Sequence, residues 1–203
     1  MERVIVYIDG FNLYFALKEK NWKRYYWLNL QKLAKALLKE DQKLIVTKYF
    51  TSRVSFPPDK VKRQTTFIEA LETLKKFKIY YGHYRPNDIE CYKCGNIIPK
   101  PNEKMTDVNI AVEMLTDAFE DRFDRAILIS ADSDLSAPIN KVKKLFPKKK
   151  IVVAFPPARF SIALKKISHA SFTIGRKRIA DCVFPDRIKK QYGFILRRPE
   201  EWK

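Results

Sequence analysis

The chain has 203 residues, with 41 Lys and Arg against 23 Asp and Glu and a formal charge of +18. Hydrophobic residues at 46% and aromatics at 13% suffice for a core and exclude a disordered chain, while only 5 glycines exclude a collagenous or low-complexity one. No apolar run reaches the roughly 20 residues of a membrane span, MERVIVYIDG does not read as a signal peptide, and 3 cysteines do not make a secreted disulfide framework, so a cytoplasmic protein with an anionic partner and no membrane is expected.

In chain order, Arg3–Ile8 is a β-branched run without alternation, as a buried parallel strand requires, and it ends at the turn signal Asp9-Gly10. Helical spacing follows over Phe11–Lys20 and Leu30–Lys39, then a second strand over Leu44–Val54. Pro57-Pro58 precedes a long helix, Asp59–Phe77, and Lys78–Tyr84 reads as a third strand towards an edge. Residues 85–105, with three prolines and the pair Cys91 and Cys94, read as an insertion or hairpin. Thr106–Phe119 is a helix whose stripe is read as Val108, Val112, Leu115 and Phe119. Arg125–Ser130 is a fourth strand, a helix runs from about Leu135 to Leu145, and Lys150–Phe155 is a fifth strand. Short helices over Ala158–Lys166 and Ile179–Lys190 flank a strand at Ala170–Ile174. Strands alternating with helices predict an α/β fold with a mainly parallel sheet.

In such sheets ligands bind beyond the carboxyl ends of the strands. Asp9 ends strand one, Asp132 and Asp134 follow strand four, and Asp107 opens the helix leading into strand four, so four acids converge at one rim. Asn12 is placed to reach the same spot. Close carboxylates repel one another unless a cation neutralises them, and hard oxygen ligands suit Mg²⁺ or Mn²⁺. Such a metal orients and deprotonates water and stabilises charge on a phosphodiester. Taken singly, each Asp also has a structural reading as a turn or cap residue.

Ile8-Asp9-Gly10-Phe11-Asn12, Glu103-Lys104-Met105-Thr106-Asp107-Val108 and Ser130-Ala131-Asp132-Ser133-Asp134 through Pro138 together resemble the motifs of the NYN domain family of LabA-like proteins, relatives of PIN-like nucleases. The resemblance implies a Rossmann-like (PIN-like) sheet with helices on both faces in a single domain, spanning 1–175 with the insertion at about 85–105. Residues 176–203 then form a basic C-terminal extension packed on or flanking that domain. It also implies a divalent-metal-dependent nuclease acting on RNA, with Asp9, Asp107, Asp132 and Asp134 as metal ligands and Asn12 as a further catalytic residue. Ala131 departs from the glycine usual in the family, which bears on rate or substrate choice. Two rivals stand beside this reading: a non-catalytic RNA-binding regulator and a phosphohydrolase for small phosphate esters.

Charge is unevenly placed: residues 139–203 hold 18 Lys and Arg against 4 Asp and Glu, a net +14. That favours a polyanion over a small phosphate ester. Candidate nucleic-acid contacts are Lys104, Ser130, Ser133, Lys141, Lys144, Arg176 and Arg178, with Ser130 and Ser133 equally readable as strand-end and capping serines. Tyr14, Tyr25, Tyr26 and Trp27 either stack on unpaired bases or pack in the core. Cys91-Tyr92-Lys93-Cys94-Gly95 is half of a Zn²⁺ site, and its alternatives are a zinc shared between the two chains of a homodimer and a metal-free turn.

Overall fold

A computed structural model describes residues 1–190 and 193–203, and within them the side chains of all but 84–90 and 98–104. The first half runs β1 (Glu2–Asp9), α1 (Gly10–Glu19), α2 (Leu30–Ala36), β2 (Gln42–Thr51), α3 (Pro58–Glu72), β3 (Phe77–Tyr81), β4 (His83–Glu90) and β5 (Ile97–Lys104). It continues through α4 (Thr106–Phe119), β6 (Arg125–Ile129), α5 (Ser136–Leu145), β7 (Lys150–Phe155), α6 (Ile162–Ile167), β8 (Ala170–Thr173), α7 (Arg176–Ala180), β9 (Arg187–Lys189) and β10 (Ile195–Arg197).

Six strands form one parallel sheet in the order β3-β2-β1-β6-β7-β8, the doubly wound arrangement of a Rossmann-like fold. The chain winds outward from β1 in one direction through β2 and β3, then returns and winds the other way from β6. The direction reverses between β1 and β6, and in open sheets of this kind ligands bind beyond the carboxyl ends of the strands at such a point. β4 and β5 make a separate antiparallel hairpin between β3 and α4, as the proline-rich stretch foretold.

β1 is buried on both faces, which explains its unbroken Val-Ile-Val-Tyr-Ile composition. Val4, Val6 and Ile8 face one side, with Leu13, Leu17, Leu33 and Leu71 from α1 to α3. Ile5 and Tyr7 face the other, with Ile110 and Met114 of α4, Val142 of α5 and Leu164 of α6. Each such fully buried side chain contributes roughly 1.5–3 kcal/mol relative to exposure.

Two sequence readings need correction. The stripe assigned to α4 is largely its outer face: Val108, Val112 and Phe119 are exposed, and Ile110, Met114, Asp117 and Ala118 turn inward. Asp117 sits on the buried face because Lys48 of β2 and Tyr7 of β1 meet it there. The helix expected over Ile179–Lys190 is instead the short α7, followed by the two-stranded ribbon β9–β10. Its chain is drawn back to the molecule by Trp27, whose indole N–H donates to the Pro185 carbonyl at 2.9 Å, and by a bridge pairing Leu28 with Val183. Ile179, Phe184 and Leu196 thereby enter the core.

Gly10 opens α1 directly after β1, against the end of β2. A Cβ there would lie 2.6 Å from the Phe50 carbonyl oxygen and 2.7 Å from the Tyr49 ring. Backbone cannot yield as a flexible side chain would, so Gly10→Ala is expected to cost about 1–3 kcal/mol in chemical denaturation and to displace Asp9. An alanine variant as stable as the parent would show that the turn relaxes freely.

Candidate functional site

At the end of β1, Asp9 caps α1: the Asn12 N–H donates to its Oδ1 at 2.9 Å. The Ser130 hydroxyl, at the end of β6, donates to Asp9 Oδ2 at 2.8 Å and accepts from the Asp132 N–H at 3.0 Å. The Ala131 N–H donates to the Asn12 side-chain carbonyl at 3.1 Å, and the Asp134 N–H to Asp132 Oδ1 at 3.0 Å. These bonds lace the ends of β1 and β6 together at the topological switch. Asp9 is 4% exposed, Asp107 and Asp132 are half-buried, and Asp134 and Ser133 are open to solvent.

The electrostatics bring all four acids into one field. Burial pushes the Asp9 carboxyl up to about 6, against the Asn12 and Ser130 hydrogen bonds, with the charges of Asp107 and Asp132 adding to the rise. Asp107 is raised by burial and then by Asp132 and Asp134. Met105, just before the helix that carries Asp107, holds a left-handed φ of 81°, a conformation rare outside glycine and typical of constrained sites.

Among the described residues, no three His, Cys, Asp or Glu side chains gather tightly enough to cage an ion. The donor chemistry nevertheless suits a hard divalent cation that keeps several waters and takes one or two carboxylates directly. Two hydroxyls, Thr106 Oγ1 beside Asp107 and Ser136 Oγ at the start of α5, are buried without a partner.

Of the two readings open for Ser130, the structure favours the strand-end one: it is fully buried and its hydroxyl is engaged twice within the protein, so it positions Asp9 and Asp132 instead of meeting a phosphate. Asn12 likewise braces the Ala131 backbone. Trp27 and Tyr25 are core residues, at 0% and 6% exposure, whereas Tyr14 is half-exposed beside Tyr26. Lys141 and Lys144 are exposed on α5, beyond its first turn. Arg176 lies over the Trp22 ring and donates to the Tyr25 hydroxyl at 3.4 Å, and Arg178 lies over Phe172, so both guanidiniums rest on aromatic faces past the outermost strand β8. The Lys148–Lys150 run sits at the amino end of β7, the edge opposite the acids, where Lys149 pairs with Asp121. The side chain of Lys104 lies outside the described residues.

Cys91 and Cys94 are both unpaired thiols in the turn between β4 and β5. The N–H groups of Cys94 and Gly95 donate to the Cys91 carbonyl at 3.2 and 2.8 Å, and Gly95 adopts a φ of 68°. The Lys93 N–H, followed by the Cys94 side chain, holds the Cys91 thiol below its ordinary value. The ring Nδ1 of His169 accepts from the Ile151 N–H at the far end of the sheet and takes no part in this turn.

The NYN domain family model matches residues 3–174. The chain belongs to the NYN domain family. That family is part of the PIN-like nuclease superfamily. A crystal structure of a protein of unknown function from Vibrio parahaemolyticus superposes with a TM-score of 0.59 at 20% identity, covering 86% of this chain and 94% of that one, a likeness of fold. No curated protein matches the chain. Among the described residues, no helix is long and apolar enough to cross a membrane.

Proposed function

We propose that this NYN domain hydrolyses phosphodiester bonds in RNA at the rim between β1 and β6, with Mg²⁺ or Mn²⁺ as cofactor. The observation that carries the reading is the buried Asp9 carboxylate, raised by burial and further by two acids from distant parts of the chain, and held in place by Asn12 and Ser130. Nothing in folding calls for that convergence, since each acid destabilises the next. Asp9, Asp107, Asp132 and Asp134 would hold the cation, which when bound supplies charge neutralisation for the phosphate and acidifies water. Ser130 fixes both Asp9 and the Asp132 backbone, so two acids cannot drift apart under their mutual repulsion. Asn12 holds Ala131 and thereby the path from β6 to Asp132. Ser133 and Asp134, both exposed, stand where a substrate enters.

Labelled RNA incubated with the protein and Mn²⁺ should be cut, and chelator should stop the cutting. Binding without cleavage under both conditions would favour a regulator that binds RNA and leaves it whole, and would refute hydrolysis. For the β4–β5 turn we propose that Cys91 and Cys94 supply half of a Zn²⁺ site shared between the two chains of a homodimer, the N–H groups around Cys91 favouring a thiolate. Elemental analysis should find zinc that is lost on Cys94→Ser, and protein purified without bound zinc would leave a metal-free turn.

A further inference from the structure

The turn between β7 and α6 carries side chains that the acidic rim leaves unexplained. Phe160 is 55% exposed on a turn that leaves the same carboxyl edge as the acids, and Ile162, the first residue of α6, is 65% exposed. β7 lies beside β6, and α6 packs against the Ser133–Leu135 turn that carries Asp134. The turn is therefore a direct neighbour of the acidic site.

Phe160 is exposed yet anchored. Its ring leans on buried Phe155 with centroids 4.7 Å apart, leaving the rest of the ring in solvent. Lys165 Nζ lies over the Phe160 ring, 5.7 Å from its centroid, and the guanidinium of the preceding residue, Arg159, lies over Phe15, 6.0 Å from the centroid of a ring itself 41% exposed. Arg159 also pairs with Glu19 at the end of α1, which ties the turn to the helix that Asp9 caps. An exposed ring backed by a rigid one, with a long flexible lysine over it, matches an unpaired base and its phosphates: the ring takes the π-face of the base once Lys165 swings aside, and Lys165 and the neighbouring Arg159 take the backbone. A duplex buries its base faces within its own stack and offers no such surface.

We infer that this turn is a base-stacking subsite for single-stranded nucleic acid, with Phe160 as the platform and Arg159 and Lys165 as its phosphate-facing flanks. The inference rests on reading the adjacent rim as a phosphodiester site, and it adds a preference for unpaired strands.

Binding is measured in chelator, so that no strand is cut, with a labelled oligouridine and a blunt RNA duplex of about a dozen nucleotides per strand. Phe160→Ala is expected to weaken single-strand binding by about fivefold or more, while duplex binding changes by less than about twofold. Phe160→Tyr should bind like the parent and Phe160→Leu like the alanine variant, since stacking needs a ring and burial does not. Because the side chain is exposed, thermal melts should show each variant folded. Equal losses on both forms of RNA, unchanged single-strand binding, a leucine variant as good as tyrosine, or a parent that binds neither form would overturn the proposal. So would a Phe160→Ala protein that sediments differently on its own yet binds oligonucleotide normally, which marks the ring as a contact between proteins. A parent that binds single strands through Phe160 yet never cuts RNA sinks the hydrolytic reading alone. One that cuts RNA while Phe160→Ala binds normally sinks only the subsite.

Discussion

Asp9→Asn is expected to melt higher than the parent in chelator at neutral pH, and to have lost cleavage. The Asp9 carboxyl is pushed from 3.8 to about 6, chiefly by burial. A raised native pKa means that the folded state binds the proton more tightly than the unfolded one. The resulting stability is fully present below the unfolded value near 3.8 and is lost as pH rises through about 6. At pH 7.5 the parent has therefore forfeited about 3 kcal/mol, at 1.36 kcal/mol per pKa unit, which an asparagine never forfeits. The amide keeps the shape, its oxygen can still accept from the Asn12 N–H, and its NH2 can donate to the Ser130 oxygen once that hydroxyl turns its proton away, which gives back part of the gain. At 2–4 °C per kcal/mol for a chain of this size, the variant should gain roughly 6–12 °C at pH 7.5, with the difference closing near pH 4. Cleavage should fall by at least about a hundredfold, as when one group stabilising a transition state is removed. Added Mg²⁺ should raise the melting temperature of the parent and leave that of the variant in place, because a cation relieves the repulsion that asparagine has already removed. An asparagine variant that melts lower at pH 7.5 would mean that the site tolerates the charge, and it would remove the main reason to see a cation site here.

That conflict between stability and site explains why the acids could be found from sequence. Asp9, Asp107, Asp132 and Asp134 each had an ordinary local reading, and only the carboxyl-edge rule for parallel sheets brought them to one place. The parallel strands were legible for a related reason: β1, β6 and β7 are buried on both faces, so their β-branched runs are nearly continuous. What failed was whatever depended on a distant partner. In α4 the stripe Val108, Val112, Leu115 and Phe119 has faultless helical spacing, but the inward face contains Asp117, which looks like solvent until Lys48 is placed opposite it. Beyond Ala180 the chain follows Trp27 and Leu28, more than a hundred residues earlier, and no local period records that. For Ser130 the sequence leaves a phosphate contact and a strand-end role side by side, and the structure decides for the second because its partner Asp9 becomes a neighbour only when β6 lies beside β1. Arg159 and Phe160 were overlooked for the same reason, since their significance lies in the strand next door.

Lys48→Met should be among the most destabilising single changes in the molecule, although Lys48 touches no site residue. Its ammonium is 1% exposed and lies 2.5 Å from Asp117 and 2.6 Å from Glu113, both on α4. The Tyr7 hydroxyl donates to Asp117 at 2.6 Å, and Arg122 reaches the other carboxylate oxygen at 3.2 Å. Burial, then the Asp117 charge, drives the Tyr7 phenol well above its ordinary value, so it stays protonated and serves as a donor. Removing the lysine leaves a fully buried carboxylate short of its main counter-charge, at a cost of about 3–5 kcal/mol. In a chain of this size that is roughly 6–20 °C in Tm. Lys48→Met combined with Asp117→Leu should lose less than the sum of the two single changes, by about 0.5–3 kcal/mol, because the second change removes the charge the first one stranded. Strict additivity in urea denaturation would show that the pair is not coupled. The same cluster clamps α4 onto the sheet two to three turns from Asp107. The lysine variant, assayed below its melting temperature, should therefore also lose cleavage, and the double variant should recover stability without recovering the placement of that acid.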